Sequence, residues 1–132
     1  MGKQPLLTVG FVGASGSVRH HLAGCVHSGL VGRAVLVDAD DEARASLRRR
    51  YGLIKADHAQ LEPLLADPEV SLVDICGEVA GRFAAARRAL GAGKHVVLAS
   101  PPTSSVAELD ELARVAEEAG VPPGVLNLIQ GS

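Results

Sequence analysis

Residues 13–17 read Gly13-Ala14-Ser15-Gly16-Ser17 and follow directly on an apolar run, Leu6-Leu7-Thr8-Val9-Gly10-Phe11-Val12. The run reads as a buried strand, and a helical pattern opens at Ser17-Val18-Arg19. A strand that passes through a glycine turn into a helix gathers unpaired backbone N–H groups and the positive end of a helix dipole at one point, the arrangement that cradles a phosphate. Asp38 lies 25 residues beyond Gly13 and closes a second short apolar strand. An acid about 20 residues past such a loop hydrogen-bonds the adenosine ribose of a dinucleotide. Its charge would also repel a ribose 2′-phosphate, so NAD is favoured over NADP as the cofactor. A turn or helix-capping aspartate is the alternative role for the same residue. Gly77 and Glu78 follow a third apolar strand and are expected at the same end of the sheet.

The loop departs from the Gly-x-Gly-x-x-Gly/Ala fingerprint. Gly13 fills the first position, Ser15 the second and Val18 the third. A side chain at the second position either obstructs a pyrophosphate or offers it a hydroxyl, and Val18 implies a wider spacing between helix and strand. A tight turn that binds nothing explains the same residues.

The elements that must position these residues alternate. Strands are expected over 6–12, 33–38, 53–56, 70–76, 95–98 and 124–129. Between the first two, Val18, Leu22, Cys25 and Val26 recur at helical spacing as far as Gly29. Asp40 can cap a helix carrying Ala43, Leu47 and Tyr51 on one face, with Arg48-Arg49-Arg50 solvated in its last turn. Asp57 and Gln60 have capping-box spacing ahead of Leu61, Leu64 and Leu65, and a further helix is expected over 79–90. Ser105 and Glu108 cap a helix with Val106, Leu109, Leu112, Ala113 and Ala116 inward. Short apolar strands joined by helices predict an α/β chain, a three-layer doubly wound Rossmann fold with a mainly parallel sheet of about six strands.

At 132 residues the whole chain, 1–132, is expected to form one dinucleotide-binding domain. Apolar residues make up 47% but the aromatics are only Phe11, Tyr51 and Phe83, so Val, Leu and Ala must build the core. A net charge of −2 and the lack of an aromatic stacking platform argue against a nucleic-acid partner. No run approaches the roughly 18 apolar residues of a membrane span, and a soluble, cytoplasmic chain is expected. Cys25 and Cys76 read as free thiols with no histidine partner, and His20 and His21, being adjacent, point apart on their helix. Asp74 inside an apolar strand requires a partner.

Tyr51-Gly52-Leu53, Leu64-Leu65-Ala66-Asp67-Pro68-Glu69-Val70 and Ala92-Gly93-Lys94-His95-Val96, in this order of elements, resemble the N-terminal domain of the Gfo/Idh/MocA oxidoreductases from Leu6 to about residue 129. The resemblance implies an NAD(P)-binding domain, with Gly13, Gly16 and Asp38 on cofactor positions and a second α/β domain carrying much of the substrate site. It also implies a Glu-Lys-Pro triplet after Lys94-His95-Val96, whose lysine assists proton transfer. Ala99-Ser100-Pro101 stands there instead, Gly77-Glu78 replaces the common Thr-Pro or Asn-Pro, and Arg82 occupies a position often held by histidine.

The expectation is a nucleotide-cofactor module, cofactor-binding through Gly13, Ala14, Ser15, Gly16, Ser17, Asp38, Gly77 and Glu78, with no catalytic residue and no metal site and without independent dehydrogenase activity. A homodimer and a partner chain supplying the catalytic half are both open on the sequence. A CoA-binding Rossmann protein, suggested by Val12-Gly13-Ala14-Ser15, and a degenerate non-catalytic interaction module are the competing readings.

Overall fold

The computed structural model describes residues 6–98 and 105–120, apart from the side chain of Val79. Chain order is β1 (Leu7–Val12), α1 (Val18–Ser28), β2 (Val31–Val37), α2 (Asp41–Arg50), β3 (Ile54–His58), α3 (Glu62–Ala66), β4 (Val70–Ile75), α4 (Val79–Gly91), β5 (His95–Leu98) and α5 (Val106–Glu118). The strands form one parallel sheet ordered β3-β2-β1-β4-β5. The chain winds outward from β1 in one direction through β2 and β3, then returns to pair β4 on the other side of β1. The switch point therefore lies between the carboxyl ends of β1 and β4. These five strands match five of the six expected; the sixth, over 124–129, lies outside the described residues, as do Ala99, Ser100 and Pro101.

Alternation along the strands divides the apolar side chains between two cores. Val9, Phe11, Ala34 and Leu36 point to one face, where Val18 and Leu22 of α1 and Leu47 of α2 cover them. Val35, Val37, Val73 and Ile75 point to the other, under Leu64, Ala86, Ala89 and Leu90. Consecutive buried residues such as Ala34-Val35-Leu36-Val37 arise because both faces of a parallel sheet are covered. No helix among the described residues is long and apolar enough to cross a membrane.

Local rules explain most boundaries. Asp40 accepts hydrogen bonds from the N–H groups of Glu42 and Ala43 and starts α2, and Ser105 accepts from Glu108 N–H at 3.2 Å to start α5. Two expected apolar faces shift. Val26 is 55% exposed, and Val106, at 75%, and Ala113 are exposed because α5 turns Leu112 and Ala116 into the core instead.

The capping box at Asp57 is not formed. Asp57 and His58 extend β3, Leu61 occupies the cap of α3 without a side-chain bond, and Pro63 stands in its first turn. Electrostatics account for this. Asp57 Oδ2 accepts from Arg44 at 2.5 Å and Oδ1 from Arg48 at 2.5 Å, so its carboxylate ties β3 to α2 rather than capping α3. Arg48 is thus engaged rather than merely solvated. Burial opposes ionisation of Asp57, but the hydrogen bonds and charges of Arg48 and Arg44 outweigh it and hold the carboxyl below its ordinary range.

Two outcomes follow from this packing. A Cβ on Gly10 would stand 2.7 Å from Leu64 Cδ1 and 3.0 Å from its Cγ, inside a full core. Gly10→Val is expected to cost about 1–3 kcal/mol in denaturant unfolding; an unchanged midpoint would mean that Leu64 moves aside freely. A carboxyl whose pKa is lower in the fold stabilises the fold above its unfolded pKa, about 3.9 for Asp. That contribution disappears as pH falls through the folded value. Asp57→Asn should therefore be about 1–3 kcal/mol less stable at neutral pH, with the gap closing below about pH 4; a Tm difference constant across that range contradicts it.

Candidate functional site

At the switch point the backbone is tightly constrained. Gly13 N–H donates to Val37 C=O at 2.8 Å and Cys76 N–H donates to Val12 C=O at 2.8 Å, extending the sheet one residue past both strand ends. Gly13 has φ 106°, and a Cβ there would stand 2.5 Å from both N and Cα of Gly77. Backbone atoms cannot swing aside, so only glycine lets the two loops approach in this way.

The loop then turns outward. Ala14 is buried, and its N–H donates to Asp38 Oδ2 at 2.7 Å across 24 residues of sequence. The second oxygen, Oδ1, accepts from Asp40 N–H at 2.8 Å. Asp38 is thereby fixed to the glycine loop by one oxygen and to the start of α2 by the other. Ser15 and Gly16 are exposed, and Gly16, at φ 69°, has open space where a side chain would be. Ser17 occupies the N-cap of α1 but makes no side-chain cap bond, so no cap side chain shields the first-turn N–H groups. Gly77 C=O accepts from Arg82 Nε at 2.8 Å, and exposed Glu78 takes the N-cap position of α4 without a side-chain cap bond.

The sheet thus brings Gly13, Ala14, Ser15, Gly16, Ser17, Asp38, Gly77 and Glu78 to its carboxyl end. This loop fits a dinucleotide: open space at Gly16, an uncapped helix start and a positioned acid are what a pyrophosphate and an adjoining ribose diol require. The Ala14 N–H is already occupied by Asp38, so the remaining N–H groups, from Ser15 onward, are those left to face a phosphate.

A second polar cluster lies beneath the loop and corrects the expectation that the cysteines lack a histidine neighbour. Asp74, 8% exposed, receives His21 Nδ1 at 2.7 Å on Oδ2, and its Oδ1 accepts from Cys76 Sγ at 3.1 Å. Cys76 Sγ is also 3.3 Å from His21 Nδ1. Burial first, then the charge and hydrogen bond of Asp74, push the Cys76 thiol far above its usual range, while a Ser17 hydrogen bond and the Arg82 charge oppose the shift. The three side chains lie as close together as a metal-ligand set, within 4.8 Å. The hydrogen bonds of Asp74 to His21 and Cys76 tie α1 to β4. His21 is the partner that Asp74 required. The buried acid was visible in the sequence, but its partner lies 53 residues away and had no local signal.

Lys94, in the block that carries the family resemblance, stands away from this end. Its Nζ donates to Asp67 C=O at 2.9 Å, joining the approach to β5 to the turn before β4.

The comparisons agree with this geometry. Residues 7–126 match the oxidoreductase family described as having an NAD-binding Rossmann fold. An uncharacterised oxidoreductase of Synechocystis sp., sll0816, is 31% identical over 118 residues, 89% of this chain and 32% of the relative. GenD2 from gentamicin A biosynthesis, solved in complex with NAD, is 26% identical with a TM-score of 0.82, over 92% of this chain and 34% of that one. An NAD-binding protein from Listeria innocua is 26% identical with a TM-score of 0.72, over 87% and 33%. The chain therefore spans about a third of the length of these relatives. With the family match covering nearly all of it, the chain belongs to the Gfo/Idh/MocA oxidoreductase family, within its NAD-binding Rossmann domain.

Proposed function

We propose that residues 1–132 are one dinucleotide-binding domain that binds NAD in preference to NADP and has no independent dehydrogenase activity. The observation that carries this reading is the bond from Ala14 N–H to Asp38 Oδ2 at 2.7 Å, which unites the glycine loop with the acid at the end of β2. The pyrophosphate lies over Ser15, Gly16 and Ser17, received by backbone N–H groups and the α1 dipole, with the Ser15 hydroxyl as a further donor. Asp38 accepts from the adenosine ribose hydroxyls with the lone pairs that Ala14 and Asp40 leave free. Gly77 and Glu78 line the crevice on the β4 side. Bound NAD supplies hydride transfer; the chain's own residues bind and orient it.

Catalysis also needs a substrate held against the cofactor and a group that moves the hydroxyl proton. Ala99-Ser100-Pro101 replaces the triplet that carries the lysine implied by the family resemblance. The chain also spans only about a third of its relatives. Both points support a catalytic half supplied by a further domain or a partner chain, with a homodimer as the other assembly compatible with this reading. Two free thiols suit a cytoplasmic, reducing compartment.

Calorimetric titration with NAD and NADH is expected to show saturable binding below millimolar cofactor, with Asp38→Ala weakening it by roughly tenfold or more, about 1.4 kcal/mol. No heat at millimolar NAD, or a thermal shift with CoA alone, would refute the reading. Gly13→Ala should both lower Tm and abolish NAD binding, because strain at positive φ costs about 1–3 kcal/mol and the added methyl meets Gly77. Full binding by that variant would show that the contact between the loops is dispensable.

A further inference from the structure

Two arginines of α2 are engaged at the ends of β2 and β3, Arg44 with the main chain of Asp38 and both with Asp57. Arg44 donates through Nε to the Asp38 carbonyl oxygen at 2.8 Å, through one terminal nitrogen to Asp57 Oδ2 at 2.5 Å, and through the other to the Asp41 carboxylate. Arg48 donates to Asp57 Oδ1 at 2.5 Å and to the Lys55 carbonyl at 3.3 Å. Asp57 thus spends one oxygen on each guanidinium, and the Arg44 and Asp57 side chains are only 13% and 16% exposed.

A ribose 2′-phosphate is a dianion, and the group that recognises it best is a guanidinium fork with donors free to face its oxygens. Arg44 is tethered to the main chain of Asp38, within one side-chain length of the diol acid, so it is placed to serve as that fork. Its donors are directed instead at carboxylates.

We propose that Asp57 is a second determinant of cofactor choice: by holding Arg44 and Arg48 it withholds from a 2′-phosphate the cations that would otherwise receive it. This rests on the reading that Asp38 binds the adenosine ribose. NADP is then refused twice, by repulsion from Asp38 and by the engagement of Arg44 and Arg48 with carboxylates. Asp57 touches no cofactor atom; it is a positioning residue acting through Arg44.

The test is the ratio of NADP to NAD affinity, measured by calorimetry on the wild type, Asp57→Asn, and Asp57→Asn combined with Arg44→Met. A structural role would weaken both cofactors alike. The proposal expects Asp57→Asn to strengthen NADP about tenfold relative to NAD, with the second substitution erasing the gain and low salt enlarging it. Should Asp57→Asn fail to fold, Asp41→Asn releases one Arg44 donor at a carboxylate that is 88% exposed and shifts the ratio the same way by roughly threefold. A folded variant with an unchanged ratio, in a chain whose wild type binds NAD, overturns this inference and leaves the NAD site standing. A wild type that binds neither dinucleotide overturns the site reading and this inference with it.

Discussion

The carboxyl ends of β1 and β4 meet backbone to backbone, with no side chain between Gly13 and Gly77, and the rest of the carboxyl end is arranged from that contact. Because β1 pairs on one side with β2 and on the other with β4, anything that forced these loops apart would break hydrogen bonds on both sides. The positive φ of Gly13 turns the chain out of the sheet as soon as the Gly13 N–H has bonded to Val37. Ala14 is then placed to bond Asp38, and Ser15 and Gly16 are left facing outward. The outward-facing glycine loop is therefore a consequence of strand pairing and one close approach, completed by a helix whose cap side chain makes no bond to its first turn.

The interior pays for one polar group on this account. Asp74 sits in the strand that carries Gly77, where a carboxylate without a partner would be costly to bury. His21 and Cys76 satisfy its two oxygens. The same bonds fix α1, whose N-terminus opens the loop, to β4 on the far side of the switch point. Helix and strand are thus registered by packing of Val18 and Leu22 on the sheet face and by a directional bond above the core. Val18, at the third fingerprint position, is fully buried in that core.

Charge is distributed with similar economy at the β2 and β3 ends. Four acids, Asp38, Asp40, Asp41 and Asp57, gather here with Arg44 and Arg48, and two of their carboxylates, Asp41 and Asp57, bond the guanidiniums. Two of these acids are committed to backbone N–H groups and the others to arginines. The arrangement secures α2 against β3 and at the same time leaves the region around Asp38 net negative.

Much of this protein is determined by local pattern. Apolar runs of strand length, Asp40 and Ser105 at helix starts, and glycines at turns identify the alternating elements and the parallel sheet, because those signals act over a few residues. Gly13 to Ser17 and Asp38 were legible as a candidate site for the same reason, since a fixed spacing separates loop and acid in a βαβ unit. Distant pairings were not legible. Asp57 has capping spacing with Gln60, yet it joins β3, because only the folded chain reveals that Arg44 and Arg48 face it more favourably than the α3 terminus does. His21 carries no sign in sequence that it meets Asp74 and Cys76, and Val106 looks like a core residue until the face that α5 buries is known. The sequence by itself determined the elements and the candidate loop. The tertiary structure decided which charges meet, because pairing depends on distance in space and those partners are 9 to 55 residues apart along the chain.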